Sequence, residues 1–440
     1  MIEQDLKYIF HPCSQMKDYE QNLPLIPIKS GHGVYLYDFD DNRYLDCISS
    51  WWVNIFGHTN SYIGDALKAQ LDTLEHVIFA GFTHEPAVRL SQRLVELSPD
   101  GLNKIFFADN GSSAVEIALK MSFQSFKNRG ETRPCFISLE NSYHGETMGA
   151  LAVGDVKLYK EIYDEILIRS YQALSPALHP EDEALEDMRR LLDELEGRVC
   201  SVIIEPLVQC AGGMAMYDAS YITALRGLCD EYGVHLIADE IAVGFGRTGT
   251  MFACEQAEVS PDFMCLSKGI TGGYLPLSAV LLTDDIYSAF YCDYADGKSF
   301  LDSHSYTGNT LACAAANATL DIFENEDIIV KNREKIDLMS RLSKSLESHS
   351  HITAIRQRGM IVAFDIIGFD DIERPNLHIY RYVLSHGVLV RPLGNSVYFM
   401  PPYTMSCEEI ETMFRVTIDA IDNLVVTIDK KGNCDEKNKN

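Results

Sequence analysis

Residues 234–283 read VHLIADEIAVGFGRTGTMFACEQAEVSPDFMCLSKGITGGYLPLSAVLLT, and the expected fold can be worked out from this segment. It contains three short apolar runs that are typical of buried strands, at 234–239, 263–268 and 279–283. The first run ends in Asp239 and the second in Lys268. Two neighbouring strands that end in charged side chains predict a functional site at one edge of a sheet.

Similar apolar runs lie upstream of this segment. They are KIFFA (104–108), CFISL (135–139) and CSVIIE (200–205). Two intervening segments, 113–127 and 183–196, place apolar residues at helical spacing. Strands that alternate with helices predict an α/β fold with a mostly parallel sheet flanked by helices, and ligands gather at the carboxyl ends of such strands.

The pattern changes beyond residue 325. A helical pattern at 330–348 is followed by the short apolar runs RGMIVAFDII, GVLVRPL and SVYFMPPY, and a final helix begins near residue 407. We therefore expect a large domain over 51–325 and a smaller α+β domain formed by 1–50 together with 326–428. The polar residues 429–440 are expected to form a disordered tail.

Composition excludes several classes of partner. The chain has 37 basic and 64 acidic residues, a formal net charge of −27, which repels nucleic acid and anionic membrane surfaces. No run is long and apolar enough to span a bilayer, and the N-terminus has no apolar targeting segment, so we expect a cytoplasmic protein. The 12 cysteines include no CxxC pair, which argues against a metal site.

Asp239 and Lys268 together suit a pyridoxal 5'-phosphate (PLP) enzyme. A lysine between an apolar strand and a glycine-rich loop is partly desolvated, which favours its neutral, nucleophilic amine. The carboxylate can keep the pyridine nitrogen of PLP protonated while the lysine forms an imine with the cofactor. Upstream, Gly111 and Ser112 begin a predicted helix, whose free amides could bind the phosphate.

The glycines after Asp239 suggest one alternative, an NAD-dependent dehydrogenase. Gly244, Gly246 and Gly249 match G-x-G-x-x-G. In a dinucleotide site, however, these glycines directly follow a strand and open a helix. Here DEIAV separates them from the strand and TGTMFACEQ is a poor helix start, so the sequence favours PLP.

Residues 236–281 resemble the signature of the class III PLP-dependent aminotransferases. Within that class, the chain is similar to the branch that aminates 8-amino-7-oxononanoate in biotin synthesis. The resemblance is carried by HPCSQM, SSWWVNIFGHTN, FAGFTHEPA, NGSSAVEIALKM, YHGETMGALAVGD, IIEPLVQCAGGM, SYTGNTLACAAANA and VRPLGNSVYFMPPY. It implies PLP transferase fold type I, amino transfer from S-adenosylmethionine or lysine, and a homodimer with shared active sites.

The resemblance also implies residue roles. Lys268 would bind PLP covalently, Asp239 would pair with its ring nitrogen, and Tyr143 would cover the ring and touch substrate. Gly111 and Ser112 would bind the phosphate. The family's partner-subunit loop, which reaches substrate and phosphate, falls here on Ser303, His304 and Ser305.

The substrate-binding residues implied by the resemblance include Arg391, which would pair with a substrate carboxylate. Trp51 and Trp52 are the only tryptophans of the chain. Neighbouring residues of an extended segment face opposite sides, so one can be core while the other, by resemblance Trp51, lines a channel for a long aliphatic substrate.

Two positions depart from the family pattern, and they bear on the choice of amino donor. Cys13 replaces a tyrosine that helps to recognise substrate, and Glu146 replaces an aspartate. The main alternative within the class is a broad ω-aminotransferase, but such enzymes usually carry arginine where Tyr398 stands and lack the tryptophan pair. A non-catalytic PLP-binding protein would be expected to have lost Lys268 or Asp239.

Overall fold

The computed structural model describes residues 1–437 apart from Pro24 and Asp371, and over 427–437 it describes the backbone alone. The strands, in chain order, are β1 (Ile28–His32), β2 (Tyr35–Asp38), β3 (Arg43–Asp46), β4 (Leu102–Ala108), β5 (Cys135–Leu139), β6 (Tyr171–Ala173), β7 (Val199–Ile204), β8 (Val208–Gln209), β9 (Ala215–Met216), β10 (His235–Asp239), β11 (Phe263–Leu266), β12 (Ser278–Thr283), β13 (Ile352–Arg358), β14 (Ile361–Ile366), β15 (Val388–Leu389) and β16 (Ser396–Phe399).

The helical segments are α1 (Ile2–Tyr8), α2 (Asp18–Gln21), α3 (Ser49–Trp52), α4 (Ser61–Leu71), α5 (Glu85–Leu97), α6 (Gly111–Asn128), α7 (Met148–Val153), α8 (Lys157–Lys160), α9 (Glu181–Glu194), α10 (Ala219–Tyr232), α11 (Asp284–Ser288), α12 (Thr310–Glu326), α13 (Ile328–Ser345), α14 (Pro375–Ser385) and α15 (Cys407–Lys437). Short 3-10 helices cover Glu161–Ile166, Ala253–Ala257, Lys268–Thr271, Tyr294–Asp296 and Leu346–Ser348.

The central sheet has seven strands in the order β4-β12-β11-β10-β7-β5-β6. The run from β11 to β6 is parallel, as predicted, whereas β12 is antiparallel to both β11 and β4. Sequence reasoning missed β6, which is only three residues long and half-buried at two of them. The strands β7, β10 and β11 are buried throughout, which explains their continuous apolar sequences.

Helix α6 covers one face of this sheet beside β11 and β12. It begins where predicted because Asn110 caps it: the Asn110 side-chain oxygen accepts from the Ser113 amide at 3.0 Å. On the other side of the site, α12 packs against the 3-10 turn that begins at Lys268. The edge of the sheet that carries the predicted site is therefore enclosed by helices.

Two smaller sheets involve the chain ends. Strands β13, β14 and β16 form one, and β15 pairs in parallel with β3 to complete the other, β1-β2-β3-β15. The β3–β15 pairing joins the N-terminal and C-terminal parts, while the domain limits themselves stay a prediction. The expected tail at 429–440 also stays a prediction, and residues 438–440 lie outside the described residues. No helix in the described part of the chain is long and apolar enough to cross a bilayer.

Candidate active site

A cavity of about 320 Å³, here called the inner cavity, lies at the carboxyl ends of β10 and β11. Its lining includes Trp52, Gly111, Ser112, Tyr143, His144, Gly145, Glu205, Asp239 and Lys268. The register of β10 and β11 explains why the predicted residues Asp239 and Lys268 lie in the same cavity. Asp239 pairs with Cys265, and Lys268 follows three residues later. The structure thus brings together the lysine, the acid and the helix start that were predicted from separate segments.

Lys268 has its backbone in the left-handed region, at φ 45°. Its Nζ lies 4.9 Å from the centre of the Trp52 ring. Burial lowers the pKa of Lys268 below its ordinary value, and the nearby Asp239, Cys210 and Glu205 oppose this shift. The direction of the shift favours the neutral amine that a nucleophilic lysine needs.

Asp239 is buried and held on both carboxylate oxygens. Its Oδ2 lies 2.8 Å from His144 Nδ1, and its Oδ1 accepts from the Ile241 amide at 3.1 Å. The second ring nitrogen of His144, Nε2, is buried and has no hydrogen-bond partner among the described residues. Asp239 is therefore a fixed carboxylate in the cavity lining, and the imidazole that holds it keeps one buried nitrogen without a partner among the described residues.

The start of α6 offers unpaired donors to the same cavity. The amides of Gly111 and Ser112 have no acceptor within the part of the chain that the structure describes. The Ser112 hydroxyl accepts from the Glu146 amide at 3.0 Å, which leaves its own proton to donate. A Cβ on Gly145 would collide with Ser112 Oγ, and one on Gly111 would lie 2.9 Å from Ile241 Cγ2, so a larger residue at either position would displace a side chain that lines the cavity.

Tyr143 borders the inner cavity and is held by two acids. Its amide donates to Glu205 Oε2 at 2.9 Å, and its hydroxyl donates to Glu146 Oε1 at 3.0 Å. Burial and the Glu146 carboxylate raise the pKa of the Tyr143 hydroxyl, so it stays a proton donor. Burial also raises the pKa of Glu205 to about 7, with His144 opposing the shift.

A second, larger cavity of about 850 Å³, here called the outer cavity, adjoins the first. Two hydrogen bonds, Tyr143–Glu146 and Trp52–Tyr398, each join a residue that lines the inner cavity to a residue that lines the outer cavity. Trp51 and Arg391 both line the outer cavity, with the guanidinium carbon 4.6 Å from the indole ring centre.

Arg391 and Cys13 lie together in the outer cavity. An Arg391 Nη donates to the Cys13 carbonyl at 3.3 Å, and Arg391 has no carboxylate partner among the described residues. The Cys13 Sγ is 4.0 Å from Glu146 Oε1. Burial and Glu146 raise the pKa of the Cys13 thiol, and Arg391 opposes the rise. Both departures from the family pattern, Cys13 and Glu146, therefore line the outer cavity.

The expectation that Trp51 and Trp52 lie on an extended segment was wrong. Residues 49–52 form α3, a turn whose φ angles are all positive, between 45° and 76°. The two indoles nevertheless face different surroundings. Trp52 is 4% exposed and its Nε1 donates to the Tyr398 hydroxyl at 3.2 Å, whereas Trp51 is 39% exposed.

Three predicted residues do not line either cavity of this chain. Ser303 is exposed. His304 Nδ1 lies 2.9 Å from Asp109 Oδ2, and the Ser305 carbonyl lies 2.8 Å from His76 Nε2. Their expected role concerns the site of a second subunit, so it stays a prediction.

Sequence reasoning missed several residues of the site. His144, Gly145 and Glu205 line the inner cavity. Arg247, fully buried, donates to the carbonyls of Pro401 and Trp52 at 2.7 and 3.3 Å. The segment YHG was noted, but nothing in it showed that its histidine would meet a carboxylate 95 residues away.

Comparison with known proteins identifies the family. Residues 16–421 match the model of the Aminotransferase class-III family. An adenosylmethionine-8-amino-7-oxononanoate aminotransferase of Helicobacter pylori is 50% identical, with 96% of this chain and 97% of that protein covered. The enzyme of the same name from Geobacter sulfurreducens is 40% identical at 96% and 97% coverage.

Solved structures agree with these matches. The crystal structure of the Methanocaldococcus jannaschii adenosylmethionine-8-amino-7-oxononanoate aminotransferase superimposes with a TM-score of 0.92 at 36% identity, covering 96% of this chain and 98% of that one. An omega transaminase of Pseudomonas jessenii in complex with PMP, 24% identical, shares the fold with a TM-score of 0.91, covering 96% and 98%. The chain belongs to the class-III aminotransferase family, whose members are PLP-dependent transaminases.

Proposed function

We propose that this enzyme transfers an amino group, through PLP, to the ketone of 8-amino-7-oxononanoate, giving 7,8-diaminononanoate for biotin synthesis. The observation that carries the proposal is the meeting of Lys268, Asp239 and the start of α6 in one cavity, beside a second cavity that is lined by Arg391. The names of relatives that are 40–50% identical over almost the whole chain support the substrate.

The polar groups that line the inner cavity suit the three polar parts of PLP, which are its aldehyde, ring nitrogen and phosphate. PLP, when bound, supplies an electron sink for the carbon next to the amine being transferred. Lys268 would hold it covalently, and the Asp239 carboxylate, fixed by His144, would hold a proton on its ring nitrogen. The free amides of Gly111 and Ser112 and the Ser112 hydroxyl would bind its phosphate.

Lys268 would have a second task once an amine substrate displaces it. Its Nζ, whose pKa is lowered by burial, would remove the proton from the α-carbon of the amino donor. The protonated Tyr143 hydroxyl and the Trp52 ring border the same space, so they would orient the substrate and exclude water. The 2-oxo acid formed from the donor leaves before the keto substrate enters.

The outer cavity suits the long keto acid. Arg391 has no ion-pair partner among the described residues, so its guanidinium is available for the remote carboxylate, while the Trp51 ring would line the path of the aliphatic chain. The donor would be S-adenosylmethionine, as the names of the relatives suggest, or lysine. Cys13 and Glu146 line the outer cavity, and their side chains would influence which donor binds.

We further propose a cytoplasmic homodimer in which Ser303, His304 and Ser305 of one subunit contribute to the site of the other. The domains would divide at about residues 50 and 325. Small molecules are the expected ligands, since the net charge of −27 disfavours nucleic acid and anionic lipid.

A donor panel tests the proposal. The PLP-loaded protein is incubated with 8-amino-7-oxononanoate and either S-adenosylmethionine or lysine, and 7,8-diaminononanoate is measured by mass spectrometry, with Lys268→Ala as the control. Product with one donor is expected. No product with either donor, together with transamination of 4-aminobutyrate, would identify a broad ω-aminotransferase instead.

A further inference from the structure

The turn that carries both tryptophans is held in an unfavourable backbone conformation. Ser49, Ser50, Trp51 and Trp52 have φ angles of 50°, 45°, 76° and 75°. Residues with a Cβ rarely enter this region, and a run of four without a glycine does not persist unless surrounding contacts hold it. The tryptophans border both cavities, so whatever fixes this turn also shapes the site.

The side chain of Asp46 makes several of the contacts that hold this turn, and the Ser49 hydroxyl adds another by donating to the Met400 carbonyl at 2.9 Å. Asp46 is fully buried at the end of β3, just before the turn. Its Oδ1 accepts from the amides of Ile48 at 3.2 Å and Ser50 at 3.0 Å, and its Oδ2 accepts from the Ser50 hydroxyl at 2.7 Å. One carboxylate therefore accepts from two donors of the turn, both on Ser50, and from the amide of Ile48 just before it.

His58 completes the arrangement from the other side. Its Nε2 lies 2.9 Å from Asp46 Oδ2, and its ring is mostly buried. The His58 backbone is fixed by a two-way bridge to Gly33, with N···O distances of 2.6 and 3.1 Å. The backbone of Asp46 is held in β3 and that of His58 is held by the bridge to Gly33, so the contact between their side chains is a rigid support for the turn.

The two tryptophans depend on this support to different degrees. Trp52 has its own anchors, since its indole donates to Tyr398 and its carbonyl accepts from Arg247. The Trp51 indole nitrogen has no acceptor among the described residues, and its ring contacts Arg391 in the outer cavity. The orientation of Trp51 therefore depends on the backbone of the turn.

We infer that Asp46 is a positioning residue that, with His58, fixes the left-handed turn and so holds Trp51 against Arg391 at the substrate end of the site. It acts through Trp51 and does not touch the cofactor cavity. Its effect on substrate kinetics rests on the proposed function, whereas its effect on the tryptophans does not.

A double-mutant cycle tests the kinetic part on the PLP-loaded enzyme. Asp46→Asn should raise KM for 8-amino-7-oxononanoate about tenfold, with a smaller change in kcat, because binding of the remote part of the substrate is what weakens. In a Trp51→Ala background the same change should raise KM less than about twofold. An equal factor in both backgrounds would overturn the inference.

Acrylamide quenching provides the readout that does not depend on turnover. The chain has two tryptophans, both in this turn, so its indole fluorescence reports the turn alone. Asp46→Asn should increase quenching of the folded protein, about twofold if the turn loses the two bonds to Oδ2. A lower thermal midpoint with unchanged quenching and unchanged KM would show a merely structural role and overturn the inference.

A pair of variants at Ser50 covers the case in which Asp46→Asn does not fold. Ser50→Ala and Ser50→Gly both remove the hydroxyl that donates to Asp46, but glycine tolerates the positive φ. Ser50→Ala should therefore raise quenching and KM more than Ser50→Gly does. Equal values would contradict the inference. If the parent enzyme does not turn over 8-amino-7-oxononanoate, the proposed function fails and the quenching comparison alone decides the role of Asp46.

Discussion

Arg391→Ala should weaken the use of 8-amino-7-oxononanoate without weakening the fold. One N–H of the guanidinium donates a long hydrogen bond, 3.3 Å, to the Cys13 carbonyl, and the group lies over the Trp51 ring. An arginine has five N–H donors in a planar fork, so enough remain for two parallel bonds to a carboxylate. Because no described carboxylate competes for it, the substrate is the expected partner.

The size of the effect follows from these contacts. A charge-assisted bidentate pair contributes about 1.5 to 4 kcal/mol, so kcat/KM should fall by roughly one to three decades, mostly through KM. The fold would lose one long hydrogen bond and a partly exposed cation–π contact that stabilises it by about 0.5 to 1 kcal/mol. In a chain of this length the thermal midpoint should then fall by less than about 3 °C.

The assay compares the acid substrate with its methyl ester, which lacks the carboxylate. The parent enzyme should discriminate strongly against the ester, and Arg391→Ala should lose that discrimination. Arg391→Lys, which keeps the charge but not the planar fork, should fall between them. The reasoning is refuted if Arg391→Ala lowers the thermal midpoint markedly while KM and the preference for the acid stay as in the parent.

Three further substitutions test the inner cavity and the dimer. Lys268→Ala should abolish turnover and the absorbance of lysine-bound PLP at roughly 410 to 420 nm; transamination at the parent rate would remove this lysine from the mechanism. Asp239→Asn should retain some PLP but lower kcat at least about a hundredfold, because a neutral amide does not stabilise the protonated ring nitrogen; an unchanged kcat argues against the pairing. Mixing Lys268→Ala with an inactivating Ser305 variant should restore activity in heterodimers, and no recovery after verified subunit exchange would mean that Ser305 does not act across an interface.

Local patterns were enough for much of the fold. The strands at 135–139, 235–239 and 263–266 are buried on both faces, so each appears in the sequence as an uninterrupted apolar run. Helix α6 begins at the predicted Gly111 because the polar cap and the apolar spacing agree. The antiparallel direction of β12 was not predictable, since an apolar run has the same composition in either direction.

The inner cavity was more predictable than the outer one for a physical reason. Lys268 and Asp239 lie at the ends of neighbouring strands, so the sheet itself brings them together. His144 enters from a loop, and no local pattern in the sequence marks its hydrogen bond to Asp239. Glu205 directly follows β7, the neighbour of β10 in the sheet, so its position at the end of an apolar run could have marked it. The left-handed turn that carries the tryptophans was also not predictable, because it contains no glycine that would indicate positive φ angles.

The outer cavity depends on one short pairing between distant parts of the chain. Strand β15 has two residues, and its register with β3 sets Leu389 opposite Asp46. Arg391 follows one strand and the tryptophan turn follows the other, so this register brings the guanidinium and the Trp51 ring to their 4.6 Å contact. A slip of one residue would turn the side chains after β15 to the opposite face and move the guanidinium away from Trp51. If Arg391 and Trp51 bind the keto acid as proposed, substitutions along β3 or β15 should change KM for the keto acid before they change the chemistry at Lys268.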